Sequence, residues 1–394
     1  MLPANSLAWG QSKSCIRELA AYGSARKAQI GAENVFDFSI GNPSVPAPPC
    51  VDEALRELLA GDSLALHSYT PAPGLPSLRK AVAGDLNRRY DARFEPEMIY
   101  VTCGAAAGLA ACARGLLRPG EEAVVFAPFF PEYRVFVEGA GGVLVTVPPT
   151  EALLPDLDAF ERVLTEKTAF VIVNTPNNPS GVILTAECLG QLAAILESAQ
   201  RRFGHPIYLV SDEPYRELVY DGQEVPCVAR FYANSVICYS FSKSLSLPGE
   251  RIGYLAVGSE MEDKVSVFNA LAGAARASGY VNAPSLMQRV VERCLGATAD
   301  LSVYKRNRDL LYGGLTELGF SCVKPDGAFY IFLKCPEADA KAFSERAKRY
   351  ELLLVPSDDF GVGGYVRIAT CVAEDTVRRS LPAFRKLAEE YGLL

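Results

Sequence analysis

Between residues 98 and 258, apolar residues gather into short continuous runs separated by longer mixed stretches. The runs are MIYVT (98–102), AVVFA (123–127), VLVTV (143–147), AFVIVN (169–174), IYLVS (207–211), VICYS (236–240) and YLAVG (254–258). Most lack polar alternation, the pattern of strands covered on both faces. Helical spacing fills the stretches between them. The clearest, TAECLGQLAAILESAQRRFG, places Thr185 as N-cap and Cys188, Leu192 and Ile195 on one apolar face. Gly204 closes it after two arginines, which suit the negative end of a helix. Strands alternating with helices predict an α/β fold: a mostly parallel seven-stranded sheet sandwiched by helices. The last pair of runs departs from that rule. Only KSLSLPGER separates them, too little for a parallel crossover, so the seventh strand is predicted antiparallel to the sixth. Arg251 then returns to the end of the sheet that Lys243 leaves.

After about residue 285 the pattern changes. A helix around SVYKRNRDLLYGGLTELG precedes apolar DGAFYIFLK, then a helix near AKAFSERAKRY, strand-like YVRIAT and a final helix. These predict a smaller α+β domain of residues 286–394, joined by residues 1–45, beside a large domain of residues 46–285. The Pro-rich NPSVPAPP (42–49) reads as the linker that crosses between them.

Composition narrows the function. The chain has 394 residues, enough for two cores, and is 49% hydrophobic and 22% charged, as soluble proteins are. A net charge of −7 leaves no basic excess for nucleic-acid phosphates. No apolar run reaches membrane-span length, and the start MLPANSLAWGQSKS lacks the basic and apolar regions of a signal peptide, so a cytoplasmic protein is expected. The eleven cysteines are odd in number and scattered, with no CxxC pair, and Cys103, Cys112, Cys238 and Cys371 lie in apolar surroundings. Reduced thiols are expected. With only His67 and His205 present, a structural zinc site or a Ser-His or Cys-His nucleophile system has few candidates.

Polar chemistry gathers after the strands, where open parallel sheets bind ligands. TCGAAAG follows the first run, PFFPEY the second, TPNNPSG the fourth, SDEPY the fifth and SFSK the sixth. Gly104, Ala105 and Ala106 open a helix whose free N–H groups suit a phosphate, although small residues there also suit tight packing. Ser240, Ser242 and Arg251 add hydroxyl and guanidinium donors to the same end. Asp212 closes a very apolar strand, where it is either a turn residue or a carboxylate holding a proton on a ring nitrogen, as in pyridoxal phosphate sites. Tyr215 and Asn178 could donate to a phenolic oxygen on that ring, and Phe130 could stack on its face or simply pack in the core. Together these groups describe a site for an anionic, aromatic, carbonyl-bearing ligand.

The segment SFSKSLSLPGERIGY resembles the lysine motif of class I/II aminotransferases, the fold-type I pyridoxal phosphate enzymes. The resemblance continues in family order through SIGNPSVPAP, SYTPAPGLPSLR, TCGAAAGL, APFFPEY, NTPNNPSGV, SDEPY, DGAFYIF and YVRIA, from about residue 38 to 371. It implies that Lys243 holds pyridoxal 5′-phosphate as a Schiff base and later carries the proton between substrate and cofactor. Asp212 would pair with the ring nitrogen, Tyr215 and Asn178 with the phenolic oxygen, and Phe130 with the ring face. Ser240, Ser242, Arg251 and the amides of Ala105 and Ala106, after Gly104, would hold the phosphate. Tyr69 matches a tyrosine that reaches the neighbouring subunit's phosphate, which implies a homodimer with shared sites. Arg367 matches the arginine that grips the substrate α-carboxylate, and Gly41 and Asn42 the segment that closes over it. The implied reaction is amino transfer between an L-amino acid and a 2-oxo acid by a two-step ping-pong course. Carbon–sulfur lysis, decarboxylation and a non-catalytic regulator are the alternatives. Ala106 stands where some aspartate-type members carry a lysine that reads a distal carboxylate. Arg276, in GAARASGY, is a candidate substitute charge.

Overall fold

A computed structural model describes residues 4–11 and 14–394 of the chain. The seven runs form seven strands, each within a residue of the expected bounds: β1 (Ile99–Thr102), β2 (Glu122–Phe126), β3 (Val143–Val147), β4 (Thr168–Asn174), β5 (Tyr208–Asp212), β6 (Ser235–Ser240) and β7 (Gly253–Val257). They make one sheet in the order β1-β7-β6-β5-β4-β2-β3. Only β7 runs against the rest: it pairs antiparallel with both β6 and β1, while the other neighbours are parallel. Every residue of β4, β6 and β7 is buried. Alternate residues serve opposite cores: Val171, Leu209 and Ile237 one, Phe170, Val210 and Val236 the other. A strand covered on both faces gains nothing from polar alternation, which is why these runs are continuous.

Four helices bear on the argument: α1 (Cys15–Ile30), α2 (Ala105–Leu116), α3 (Ala186–Phe203) and α4 (Lys264–Ala277). Thr185 caps α3 as expected, its Oγ1 accepting the Cys188 N–H at 3.1 Å, and Gly204 ends it at φ 75°. The buried face is shifted by a residue from the expected one. Leu189, Leu192, Ala193, Leu196 and Ala199 are buried, whereas Cys188 and Ile195 sit at the margin. The apolar stripe is broad enough to hold both sets, and only packing chooses its centre.

A second sheet of β8 (Ser321–Cys322), β9 (Tyr330–Lys334), β10 (Val355–Pro356) and β11 (Tyr365–Ala369) is wholly antiparallel, in the order β10-β11-β9-β8. The helices Ser302–Glu317, Ala340–Lys348 and Glu374–Glu390 pack on it around Phe38, Leu315, Ile331, Phe343 and Phe384. Ser285–Arg293 behaves differently, burying Met287, Val290 and Val291 in the core of the larger sheet. All eleven cysteines are free thiols. No described helix is long and apolar enough to cross a membrane.

Candidate active site

The loops leaving the carboxyl ends of β1, β2, β4, β5 and β6 line a cleft of about 280 Å³. Arg251, entering β7, returns to the same edge, because Gly253 pairs with Ser240 on one side and Thr102 on the other.

The floor of the cleft is Asp212, the last residue of β5 and 4% exposed. Tyr133 O–H donates to its Oδ2 at 2.6 Å, but its Oδ1 is buried with no partner. Burial pushes this carboxyl up from 3.8 to about 7; the Tyr133 hydrogen bond pulls the other way, and Glu213 adds a smaller upward push. A buried acceptor without a donor is unfavourable, so the site lacks one N–H aimed at Oδ1. A protonated pyridine nitrogen supplies that group, and the residues present therefore fit pyridoxal phosphate. Asn174 braces the floor: its Nδ2 donates to the Asp212 carbonyl at 2.8 Å, and its Oδ1 accepts the Asn178 N–H at 2.7 Å.

Lys243 lies on the single helical turn Phe241–Ser244 that follows β6. Its Nζ donates to the Gly41 carbonyl at 2.8 Å and sits 5.3 Å from the Phe329 ring centroid. Burial pushes this amine down from 10.5 to about 8; Cys371 opposes the shift, while Arg367 and Arg251 add to it. An amine so placed keeps a substantial neutral fraction near neutral pH, as a nucleophile or base must.

One end of the cleft gathers donors that suit an anion. The first N–H groups of α2, at Ala105 and Ala106, have no helical acceptors. Ser240 and Ser242 hydroxyls lie 2.8 Å apart beside them. Arg251 is held in the left-handed region at φ 52° and donates to the Pro248 carbonyl at 2.9 Å. Gly104 makes room for it, since a Cβ there would fall 2.9 Å from Arg251 Nη2, and at φ 82° no other residue sits easily.

The other end holds Arg367, in β11 and 2% exposed. Its Nη1 donates to Asn178 Oδ1 at 3.2 Å and its Nη2 to the Ser39 carbonyl at 2.7 Å, while Nε is buried without a partner. Its guanidinium stacks 4.7 Å from the Tyr330 ring centroid. No carboxylate among the described residues pairs with it. A buried guanidinium with only neutral partners has the charge and the planar donors to receive a carboxylate.

The structure thus brings Lys243, Asp212, Tyr215, Asn178, Phe130, Ser240, Ser242, Arg251, Arg367, Gly41, Ala105 and Ala106 into one cleft, with Gly104 supporting Arg251. Three expected residues lie apart from it. Tyr69 is 96% exposed, Asn42 turns its side chain to the Pro43 carbonyl at 3.3 Å, and Arg276 is exposed on α4. Tyr133, Asn174, Tyr330 and Ile16 belong to the site without having been expected there. Tyr133 and Tyr330 lie inside the motifs PFFPEY and DGAFYIF, but nothing local marks them; Tyr330 O–H meets Tyr215 O–H at 3.0 Å only through the second sheet.

Comparison with known proteins adds the lineage. Residues 33–384 match the family model described as aminotransferase class I and II. An amino transferase of solved structure from Eubacterium rectale superposes with a TM-score of 0.97 at 49% identity, covering 99% of each chain. The aspartate aminotransferase of Thermus thermophilus, solved with maleate, superposes at 0.87 with 29% identity over 98% of this chain and 99% of that one. The curated aspartate/prephenate aminotransferase of that organism is 32% identical over 362 residues, 89% of this chain and 90% of the relative. None of these names favours lysis, decarboxylation or regulation. The chain belongs to the class I and II aminotransferases, a pyridoxal phosphate-dependent family, and catalyses amino transfer.

Proposed function

We propose that this chain binds pyridoxal 5′-phosphate in the cleft, as a homodimer with shared sites, and exchanges amino groups between L-amino and 2-oxo acids in two half-reactions. The observation that carries the cofactor reading is the unpartnered Oδ1 of Asp212, buried in the same cleft as a lysine whose amine burial pushes down to about 8. When bound, the cofactor supplies a conjugated ring that accepts the electron pair left by a departing Cα proton. The chain's own residues do the rest. Asp212 accepts a hydrogen bond from the ring nitrogen and keeps it protonated. Tyr215 O–H and Asn178 Nδ2 donate to the phenolic oxygen; Arg367 already occupies Asn178 Oδ1, which leaves Nδ2 as the free donor. Phe130 covers a ring face. Ser240, Ser242, Arg251 and the Ala105 and Ala106 amides hold the phosphate.

Arg367 grips the substrate α-carboxylate through a planar fork, fixing the Cα–H bond relative to Lys243. Lys243 would take the proton that leaves Cα, its lowered basicity providing a neutral amine to receive it. The segment around Gly41 and Asn42 lies over the lysine, and a Cβ on Gly41 would collide with Tyr330 Oη. The two-domain division belongs to the same proposal. The separate cores around the two sheets support it, and the burial of Ser285–Arg293 in the larger one favours a boundary after that helix.

The test is chemical. Purified protein should be yellow, and borohydride should fix the cofactor on the peptide that carries Lys243. Attachment at another lysine would overturn the assignment.

A further inference from the structure

We infer that this site prefers amino acids with uncharged, apolar side chains over aspartate and glutamate, and that Ile16 helps set the preference; the inference rests on the amino-transfer reading above. Among the described residues lining the cleft, the cations are Lys243, Arg251 and Arg367. All three are already engaged, by the reacting carbon, the phosphate and the α-carboxylate respectively. A second substrate carboxylate would therefore be desolvated with no further cation of the same subunit left to receive it.

What remains of the lining is apolar. Ile16, from the first turn of α1, shares the cleft with Leu109, Phe130 and the Tyr330 ring. Ala106 places a methyl group, not a charge, at the opening of α2. Arg276 is exposed on α4, outside the lining. This reading sets the chain apart from the relatives named for aspartate.

The test uses the purified holoenzyme and follows conversion of its cofactor to the amino form in single half-reactions. L-Methionine and L-leucine should react with kcat/KM at least ~10-fold above L-glutamate and L-aspartate, the order of discrimination that one or two pocket contacts supply. Ile16→Lys should raise the glutamate-to-methionine ratio by ~10-fold or more, whereas Ile16→Met should keep the apolar preference. A wild-type preference for aspartate or glutamate would overturn the inference and leave amino transfer standing. An unchanged ratio in Ile16→Lys would remove Ile16 from the account. If no amino acid converts the cofactor, amino transfer itself fails, and the inference with it. The wild-type panel decides the substrate class whether or not the variants fold.

Discussion

Asp212 carries a cost of burial in the folded chain. Its carboxyl titrates near 7 in the folded chain and near 3.8 when exposed. The sign follows from linkage: stability present below about pH 4 is lost as pH rises toward 7, because unfolding lets the group ionise in water. In cofactor-free protein the loss above pH 7 is on the order of 4 kcal/mol. Asp212→Asn keeps the shape and the Tyr133 hydrogen bond but has no charge to desolvate. Cofactor-free Asp212→Asn should therefore resist urea better than the wild type at pH 8, with the advantage gone by about pH 4. An advantage independent of pH would mean that Asp212 is not the titrating group. The aspartate was legible in the sequence as a carboxylate ending an apolar strand. Its partner was not, since Tyr133 lies 79 residues earlier in the chain.

The helix α2 answers two demands at once, and its composition reflects both. Its small face lets it lie close on the sheet: a Cβ on Gly108 would fall 2.8 Å from Cys238 Sγ. Its first turn points unsatisfied N–H groups at the phosphate cradle, where Gly104 admits Arg251. The two meanings of a Gly-Ala-rich opening, packing and anion binding, were not separable by pattern; the packing is present at Gly108, and anion binding is the role proposed for the free N–H groups. Gly104→Ala forces a side chain into the left-handed region and against Arg251. It should weaken cofactor affinity ~10-fold or more and destabilise the protein by about 1–3 kcal/mol. Fluorescence titration with pyridoxal phosphate and a urea midpoint measure the two effects. A loss of stability with unchanged affinity would detach Gly104 from the cradle. Element existence was plain from the sequence because a doubly covered strand leaves a continuous apolar run, whereas the face of α3 was off by one residue because packing decided it.

Whole-molecule architecture explains why Tyr69 stands apart. At 96% exposure it touches nothing that could use it within one chain, and Leu64 and Leu59 nearby are 80% and 62% exposed. Such apolar exposure in one stretch suits a protein interface, as the proposed homodimer requires of this stretch. If sites are shared, Lys243→Ala and Tyr69→Ala chains should complement each other. A mixed dimer contains one site with Lys243 from one chain and Tyr69 from the other, both intact. Each variant alone should bind cofactor or turn over poorly, and mixing after dissociation should restore activity. Mixtures no better than the sum of the separate variants would place both residues in the same chain's site, or Tyr69 in none.

The order of strands and helices, the antiparallel return of β7 and the set of groups at the strand ends were all written locally, in runs, turn lengths and residue types. These depend on a few neighbours along the chain, so the sequence by itself was enough. The acid–base character of the site was not local. Asp212 near 7 and Lys243 near 8 arise from burial under segments distant in sequence, and Arg367, held by neutral partners alone, needs the second sheet beside Asn178. Desolvation and the absence of a counter-charge depend on everything packed around a group. They took their values only when the two sheets came together.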